Sequence, residues 1–412
     1  ARWMTGADHA LVSDIGGTTT DVALLRDGKP KIDPAGARVG PWRTMVEAVA
    51  MRTTGLGGDS EVHVIDEGLT GGLTLGPRRV LPVSLIATEA PDVVLPALEE
   101  QLRSDTPGEH DTRFVRAVPG VDAGGLAAKD AALLERIGGA VSPLAQILRS
   151  RLENSALKRL VARGLVQVSG VTPSDASHAL DLVDAWDNEA ARTAIKLIAR
   201  KRTGSGDVLS ETVEDMAQMI IDQLTHQTSL ALLESAFSEE DTDFGLSPTT
   251  LAQHVLMQKG LDQHRGLLRF DAGLNLPVVG LGASAPSYYP AVGDRLGTEM
   301  ILPQYAGVAN AVGAVVGRVS FRRVGTVTAP ADGRFRVHLD SGPEDFVNAE
   351  DAMSQLESHL TQVARTDAQQ AGAEDITVTT NRDIRMAKVE AREVFIEAEI
   401  TVEASGRARI AS

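Results

Sequence analysis

Leu11-Val12-Ser13-Asp14-Ile15-Gly16-Gly17-Thr18-Thr19-Thr20-Asp21-Val22-Ala23-Leu24-Leu25 is the stretch on which the reading of this chain turns. Two apolar runs of strand length flank a Gly-Gly-Thr-Thr-Thr turn, the pattern of a β-hairpin. Asp14 enters the turn and Asp21 leaves it. Gly16 and Gly17 let backbone approach a ligand where a Cβ would clash. N–H groups in such a turn form a concavity for anions, and the hydroxyls of Thr18, Thr19 and Thr20 add donors. A carboxylate beside bound phosphate calls for a hard cation between them, usually Mg²⁺. Two readings stand side by side. One is a phosphate-binding hairpin with catalytic carboxylates Asp14 and Asp21, Asp14 being also the metal ligand. The other is an ordinary tight hairpin, since Gly, Thr and Asp are common turn residues.

The composition narrows the choice. At 412 residues the chain has room for two or three domains, and 43% hydrophobic residues suffice for packed cores. A formal charge of −16 argues against a general binder of nucleic acid or of membrane surfaces. The absence of cysteine excludes disulfides, thiolate metal sites and cysteine nucleophiles. No run of about 18 uncharged apolar residues and no signal peptide is visible, so a cytoplasmic protein is expected. The nine histidines show no metal-ligand spacing, and no Gly-x-Ser-x-Gly, HExxH or Walker A sequence occurs.

Along the chain, Lys31 to Val39 is expected to add a strand, and Thr44 to Met51 a short apolar helix ending in Gly55-Leu56-Gly57-Gly58-Asp59. Glu61 to Asp66 alternates as a strand. From about Ala90 to Arg265 the spacing becomes helical, with Ala131 to Ile137, Leu157 to Arg163, Ala190 to Arg200 and Glu211 to Ala236 as helices. Thr172-Pro173-Ser174-Asp175 reads as a capped helix start. Leu276 to Gly280 resumes as a buried strand, followed by Leu281-Gly282-Ala283-Ser284 and a helix over Tyr289 to Leu296. Val308 to Val319 reads as a helix whose Gly313 and Gly317 imply a close neighbour. Phe321 to Ser412 carries alternating strands around a helix from Ala349 to Ala371.

Asp14-Ile15-Gly16-Gly17-Thr18-Thr19-Thr20-Asp21-Val22 resembles the phosphate hairpin of the actin-like ATPase fold, and in its full spelling it is most similar to the hydantoinase/oxoprolinase family. Val171-Thr172-Pro173-Ser174-Asp175-Ala176-Ser177 is similar to that family's TxTDAN-like segment, with Ser177 at the usual asparagine. Gly280 to Pro286 resembles its glycine-rich turn loosely. Ile301-Leu302-Pro303 through Gly307-Val308-Ala309-Asn310-Ala311-Val312-Gly313 is close to its VxxP…AGVxxAxG pattern, and Gly406-Arg407-Ala408-Arg409 resembles the tail of some members. The motifs follow the family's order along most of the chain.

The resemblance implies an α/β fold: an actin-like (ribonuclease H-like) lobe with a large helical insertion and a small C-terminal α+β domain. The expected divisions are residues 1–89 and 266–320 for the core, 90–265 for the insertion and 321–412 for the C-terminal domain. It implies an ATP-dependent hydrolase component that phosphorylates the amide oxygen of a small cyclic amide, a hydantoin or 5-oxoproline. ATP and Mg²⁺, with K⁺ as a further cofactor, would be held by Gly16, Gly17, Thr18, Thr19 and Thr20, by Gly57 and Gly58, and by Gly280, Gly282 and Ala283. Relatives carry an earlier lobe with its own glycine-threonine hairpin, and this chain has one such hairpin. A second lobe lacking its N-terminal partner, associated with a second subunit, is therefore expected. The alternative is a non-catalytic actin-like lobe that binds a nucleotide or a partner. Ala131 to Gly170, with Lys158, Arg159 and Arg163, also has the helix–helix–strand order of a winged-helix DNA reader, against which the net charge stands.

Overall fold

The computed structural model describes residues 1–33, 38–39, 42–43, 48–65, 71–339, 341–389 and 392–408. It is mixed α/β, with several sheets and 14 α-helices among the described residues. Contacts divide it into two compact units, Ala1–Ala309 and Asn310–Ser412.

The first unit is built on the hairpin. Strands β1 (Ala10–Ile15) and β2 (Thr20–Arg26) pair antiparallel, placing Asp14 opposite Asp21 and Ile15 opposite Thr20. On its far side β2 pairs with β3 (Met51–Thr54), putting Thr53 opposite Asp21. This corrects the expected helix: Ala48–Val49 and Met51–Thr54 are extended, and Thr44 to Glu47 lie outside the described residues. The open edge of β2 offers ladder partners to Met51–Thr54, and the β-branched Thr53 and Thr54 suit a pleated surface. Lys29–Pro30 also pairs with β2, Ile32–Asp33 pairs with Ala48–Val49, and Arg38–Val39 pairs with Trp42–Arg43; residues 34–37 of the expected strand lie outside the described residues.

After β4 (Ser60–Ile65) and its hairpin partner β5 (Gly72–Arg79) come α1 (Val83–Glu89), α2 (Pro173–Ala179), α3 (Asn188–Ala199) and α4 (Val213–Glu239, 27 residues). The sheet is completed by β6 (Val278–Leu281), parallel to β1, and β7 (Met300–Ile301), parallel to β6, with α5 (Ala285–Leu296) between them. Leu11, Ile15, Val22 and Leu24 of the hairpin share one core with Ile220 and Leu224 of α4 and Tyr289 of α5.

The segment expected to be helical contains more than helices. Phe114–Ala117, Ser142–Pro143 and Val166–Gly170 form antiparallel strands that share a separate core with helices Ala128–Ile137 and Glu153–Ala162. Val115, 0% exposed, pairs with Val168 there. Such short strands lack the length for a clear period-2 signal.

The second unit is an antiparallel sheet ordered β10 (Gly342–Phe346), β9 (Arg334–Leu339), β8 (Arg318–Ala331), β12 (Arg392–Ala408), β11 (Ala373–Val389), covered by α6 (Ala349–Gln370). Leu356, Leu360 and Ala364 of α6 pack on Ile400, Val402 and Ala404. The helix at Ala309–Val316 ends before the expected Val319. Its Gly313 faces open space and Gly317 meets only the Gly313 backbone, so neither glycine marks a close neighbour. Arg409 of the expected tail lies outside the described residues.

The buried carboxylate of Asp175 joins two helix starts. It accepts from Val83 N (3.2 Å) and from Ser84 N and Oγ (2.8 and 2.6 Å) at α1, and from Thr172 N and Oγ1 (both 2.9 Å) at α2. With Thr172 it forms a capping box. Burial pushes its pKa up and these donors oppose the shift. Replacing Asp175 with Ala strands three buried N–H groups, and denaturant unfolding should show a loss of about 3–5 kcal/mol. Asp175→Asn should lose clearly less.

Glu153 accepts two hydrogen bonds of 2.9 Å from Arg136 and one of 2.8 Å from Arg149 N, which lower its pKa from 4.5 to about 2. A folded-state pKa below the unfolded value means that this bridge stabilises fully above pH 4.5 and is lost as pH falls toward 2. Acid unfolding of Glu153→Gln should therefore show a shallower loss of stability across that window than the parent chain.

Candidate functional site

The hairpin turn is held by a second loop. Gly16 N donates to Thr19 O (2.9 Å), closing the turn, while the carbonyls of Gly16 and Gly17 accept from Gly58 N (3.1 Å) and Asp59 N (2.8 Å). Thr20 Oγ1 donates to Leu56 O (2.8 Å), and Ser60 Oγ accepts from Gly57 N (2.8 Å). An added Cβ on Gly57 would lie 2.5 Å from the Gly17 backbone, so the two loops can touch only because both are glycine there. Gly55 follows a strand, not a helix, so the helix-stop explanation of this loop falls away.

Two further segments meet the same loop. Ser174, in the first turn of α2, donates through N (2.8 Å) and Oγ (2.9 Å) to Gly58 O. Ser284, at the start of α5, has its Oγ 3.8 Å from where a Gly58 Cβ would stand. Gly282, in the turn from β6 to α5, has φ +108°, and a Cβ there would sit 2.0 Å from Ile15 O. The hairpin turn and the β6–α5 turn therefore lie together at the carboxyl ends of the parallel strands, where open α/β sheets bind ligands.

The carboxylates differ by environment. Asp14 and Asp21 are both half-buried and directly opposed across the β1–β2 pair. Like charges in that position repel, and a cation between them relieves the repulsion. Asp21 is oriented by hydroxyls, accepting from Thr53 Oγ1 at Oδ1 and from Thr19 Oγ1 at Oδ2 (3.4 Å). Among the described residues no three His, Asp or Glu side chains form a metal cage. The pair instead suits Mg²⁺, which uses one or two carboxylates and completes its shell with water and phosphate. Asp59, which the sequence reading passed over, has Oδ2 3.1 and 3.0 Å from Arg79 Nε and Nη2, and Oδ1 3.3 Å from Ser174 Oγ. Burial raises its pKa against the pull of Arg79.

Some residues expected to hold a ligand are committed within the fold. Thr20 is 0% exposed and its hydroxyl serves Leu56, so it pins the turn and is no phosphate donor. Gly280 is buried where a Cβ would strike Tyr289 at 2.4 Å, which makes it a packing glycine. Gly57 and Gly58 are buried beneath the turn. Gly16 and Thr18 are exposed, Gly17 and Thr19 half-buried, and Ala283 exposed beside Gly282. Asp59, Ser174 and Ser284 join them. Asp59 directly follows a glycine and Ser174 lies inside a capping motif, whereas Ser284 carries neither signal. In the region read as a possible DNA reader, Arg159 pairs with Asp130 (2.6 Å) and Arg163 donates to Gly124 O (2.8 Å).

Residues 2–82, which hold the hairpin and its clamping loop, match the family described as hydantoinase/oxoprolinase. The similarity to that family lies in this segment. Ser174 and the 282–284 turn reach the candidate site from beyond the matched residues. No curated protein matches the chain in sequence. One solved structure similar to it is described as "Mechanism of ATP-Dependent Acetone Carboxylation, Acetone Carboxylase nucleotide-free structure", at 15% identity and a TM-score of 0.48. The match covers 99% of this chain and 48% of that one, so the chain spans about half its length.

The geometry separates the glycines. Gly57→Ala forces backbone apart and should destabilise by about 2–4 kcal/mol in denaturant unfolding. Gly16→Ala, whose nearest neighbour would be 3.7 Å away, should stay within about 1 kcal/mol of the parent.

Proposed function

We propose that this chain is the nucleotide-binding part of an ATP-dependent enzyme of the hydantoinase/oxoprolinase type, acting on a small cyclic amide of the hydantoin or 5-oxoproline class. The observation that carries this is the opposed pair Asp14 and Asp21 at the mouth of a clamped Gly-Gly-Thr turn. The family match over residues 2–82 supports it. An actin-like lobe is the form we assign to the sheet of β1, β2, β3, β6 and β7.

In this reading Asp14 and Asp21 would hold Mg²⁺, and Gly17, Thr18 and Thr19 would present backbone N–H groups, with the Thr18 hydroxyl, to phosphate. When bound, Mg²⁺ neutralises charge on the phosphoryl group that moves to the amide oxygen. The protein's share is preorganisation: the donors are already oriented by the Gly57–Ser60 loop, so little reorganisation is needed as charge develops. The turn at Gly282 and Ala283 would flank the adenosine side. A first lobe with its own hairpin and a second subunit are the partners this reading requires.

Calorimetric titration of Mg²⁺-ATP and Mg²⁺-ADP tests it. The parent chain should bind, and Asp14→Ala should bind at least about tenfold more weakly, a loss of about 1.4 kcal/mol. No binding to the folded parent chain overturns the proposal. Binding without turnover of hydantoins or 5-oxoproline, even with a first lobe supplied, favours a non-catalytic lobe, a reading motivated by the single hairpin.

A further inference from the structure

The carboxylate of Asp59 lies directly against the hairpin turn. An ideal Cβ on Gly17 would stand 2.4 Å from Asp59 Oδ2, so that oxygen fills the space beside the turn's backbone. The same oxygen accepts from Arg79 Nε (3.1 Å) and Nη2 (3.0 Å). One carboxylate oxygen thus bridges the turn and a guanidinium. The Asp59 side chain is 11% exposed and that of Arg79 55% exposed, so the cation covers the carboxylate on its solvent side.

The fold fixes this arginine through both backbone and side chain. Arg79 ends β5 and sits opposite Ser60, the first residue of β4. The N–H of the next residue, Val80, donates to Asp59 O (3.0 Å), while the Arg79 guanidinium bonds the Asp59 carboxylate. Asp59 is itself held by Ser174 Oγ (3.3 Å) and by its own N–H on Gly17 O (2.8 Å). The neighbouring Arg78 serves a different carboxylate, with its Nε 3.4 Å from Glu61 Oε2. Of the two adjacent arginines, Arg79 is the one brought to the turn.

An ionised Asp59 beside Gly17 would repel an anion seated in the turn. Burial raises the Asp59 pKa, and Arg79 opposes that rise. The guanidinium spends two of its five N–H groups on Asp59, and more than half of its side chain stays open to solvent. A guanidinium oriented by one carboxylate and open on its outer side matches the paired oxygens of a phosphate group. On the reading of the hairpin turn as a nucleotide site, we propose that Arg79 contacts a phosphoryl group of the bound nucleotide. Asp59 is then its positioning residue. The turn's N–H groups and the guanidinium are both oriented before the ligand arrives, which lowers the cost of binding.

Calorimetric titration of Mg²⁺-ATP into the full chain carrying Arg79→Ala, Asp59→Asn or both tests the proposal. A direct contact is lost whether or not residue 59 carries a charge. Arg79→Ala should therefore weaken binding at least about tenfold in the parent and at least about threefold in the Asp59→Asn background. An arginine that only neutralises Asp59 would matter in the parent and cease to matter once the carboxylate is gone. That result overturns the proposal, and so does parent-like affinity in Arg79→Ala. Either result leaves the nucleotide site standing, because the parent and its Asp14→Ala variant report on that site separately. No binding to the folded parent chain overturns the nucleotide site and the Arg79 contact together. Melting temperatures identify a variant that fails to fold. If Arg79→Ala alone unfolds, the comparison of Asp59→Asn with the double variant decides.

Discussion

Two backbone hydrogen bonds, from Gly58 N and Asp59 N to the carbonyls of Gly16 and Gly17, hold the arrangement on which the rest of the site depends. They join loops about forty residues apart in the chain and require the backbones to touch. A side chain at position 17 or 57 would prevent this, since the added Cβ would stand within 2.5 Å of Asp59 or of the Gly17 backbone. Once the loops meet, buried polar groups must find partners. Thr20 takes Leu56, Ser60 takes Gly57, and Ser174 takes Gly58. The clamp thereby gathers the hairpin, the β4 strand and the start of α2 at one place.

The acidic side chains sort into two kinds by their surroundings. Asp175 is buried and receives five hydrogen bonds that complete two helix starts, so its role is structural. Asp14 and Asp21 oppose one another on a half-exposed face. Asp59 stands between these kinds, buried against the turn and matched by the half-exposed Arg79.

Much of the architecture was legible where a local signal was strong. The hairpin followed from apolar runs around a glycine turn, and the start of α2 from Thr172-Pro173-Ser174-Asp175. The long helices from Asn188 and Val213 followed from their apolar spacing. Misreadings fell where pairing decides conformation. Thr44 to Met51 looked helical by its apolar content, but Met51–Thr54 pairs with the open edge of β2 and Ala48–Val49 with Ile32–Asp33. The strands at Phe114 and Ser142 were too short to show a period. Gly313 and Gly317 looked like contact glycines, yet Gly313 faces open space.

The same division runs through the site. The sequence by itself determined the chemical inventory: two aspartates bracketing a Gly-Gly-Thr turn, no cysteine, and an acidic chain. These are properties of residue type and spacing, and they survive in any conformation. Tertiary structure decided which groups remain available to a ligand. It buried Thr20 and Gly280, set Asp14 against Asp21, and brought Asp59, Ser174 and Ser284 to the turn from distant positions. Availability depends on which hydrogen bonds are already made and which surfaces are already covered, and those are fixed only when separate segments pack together.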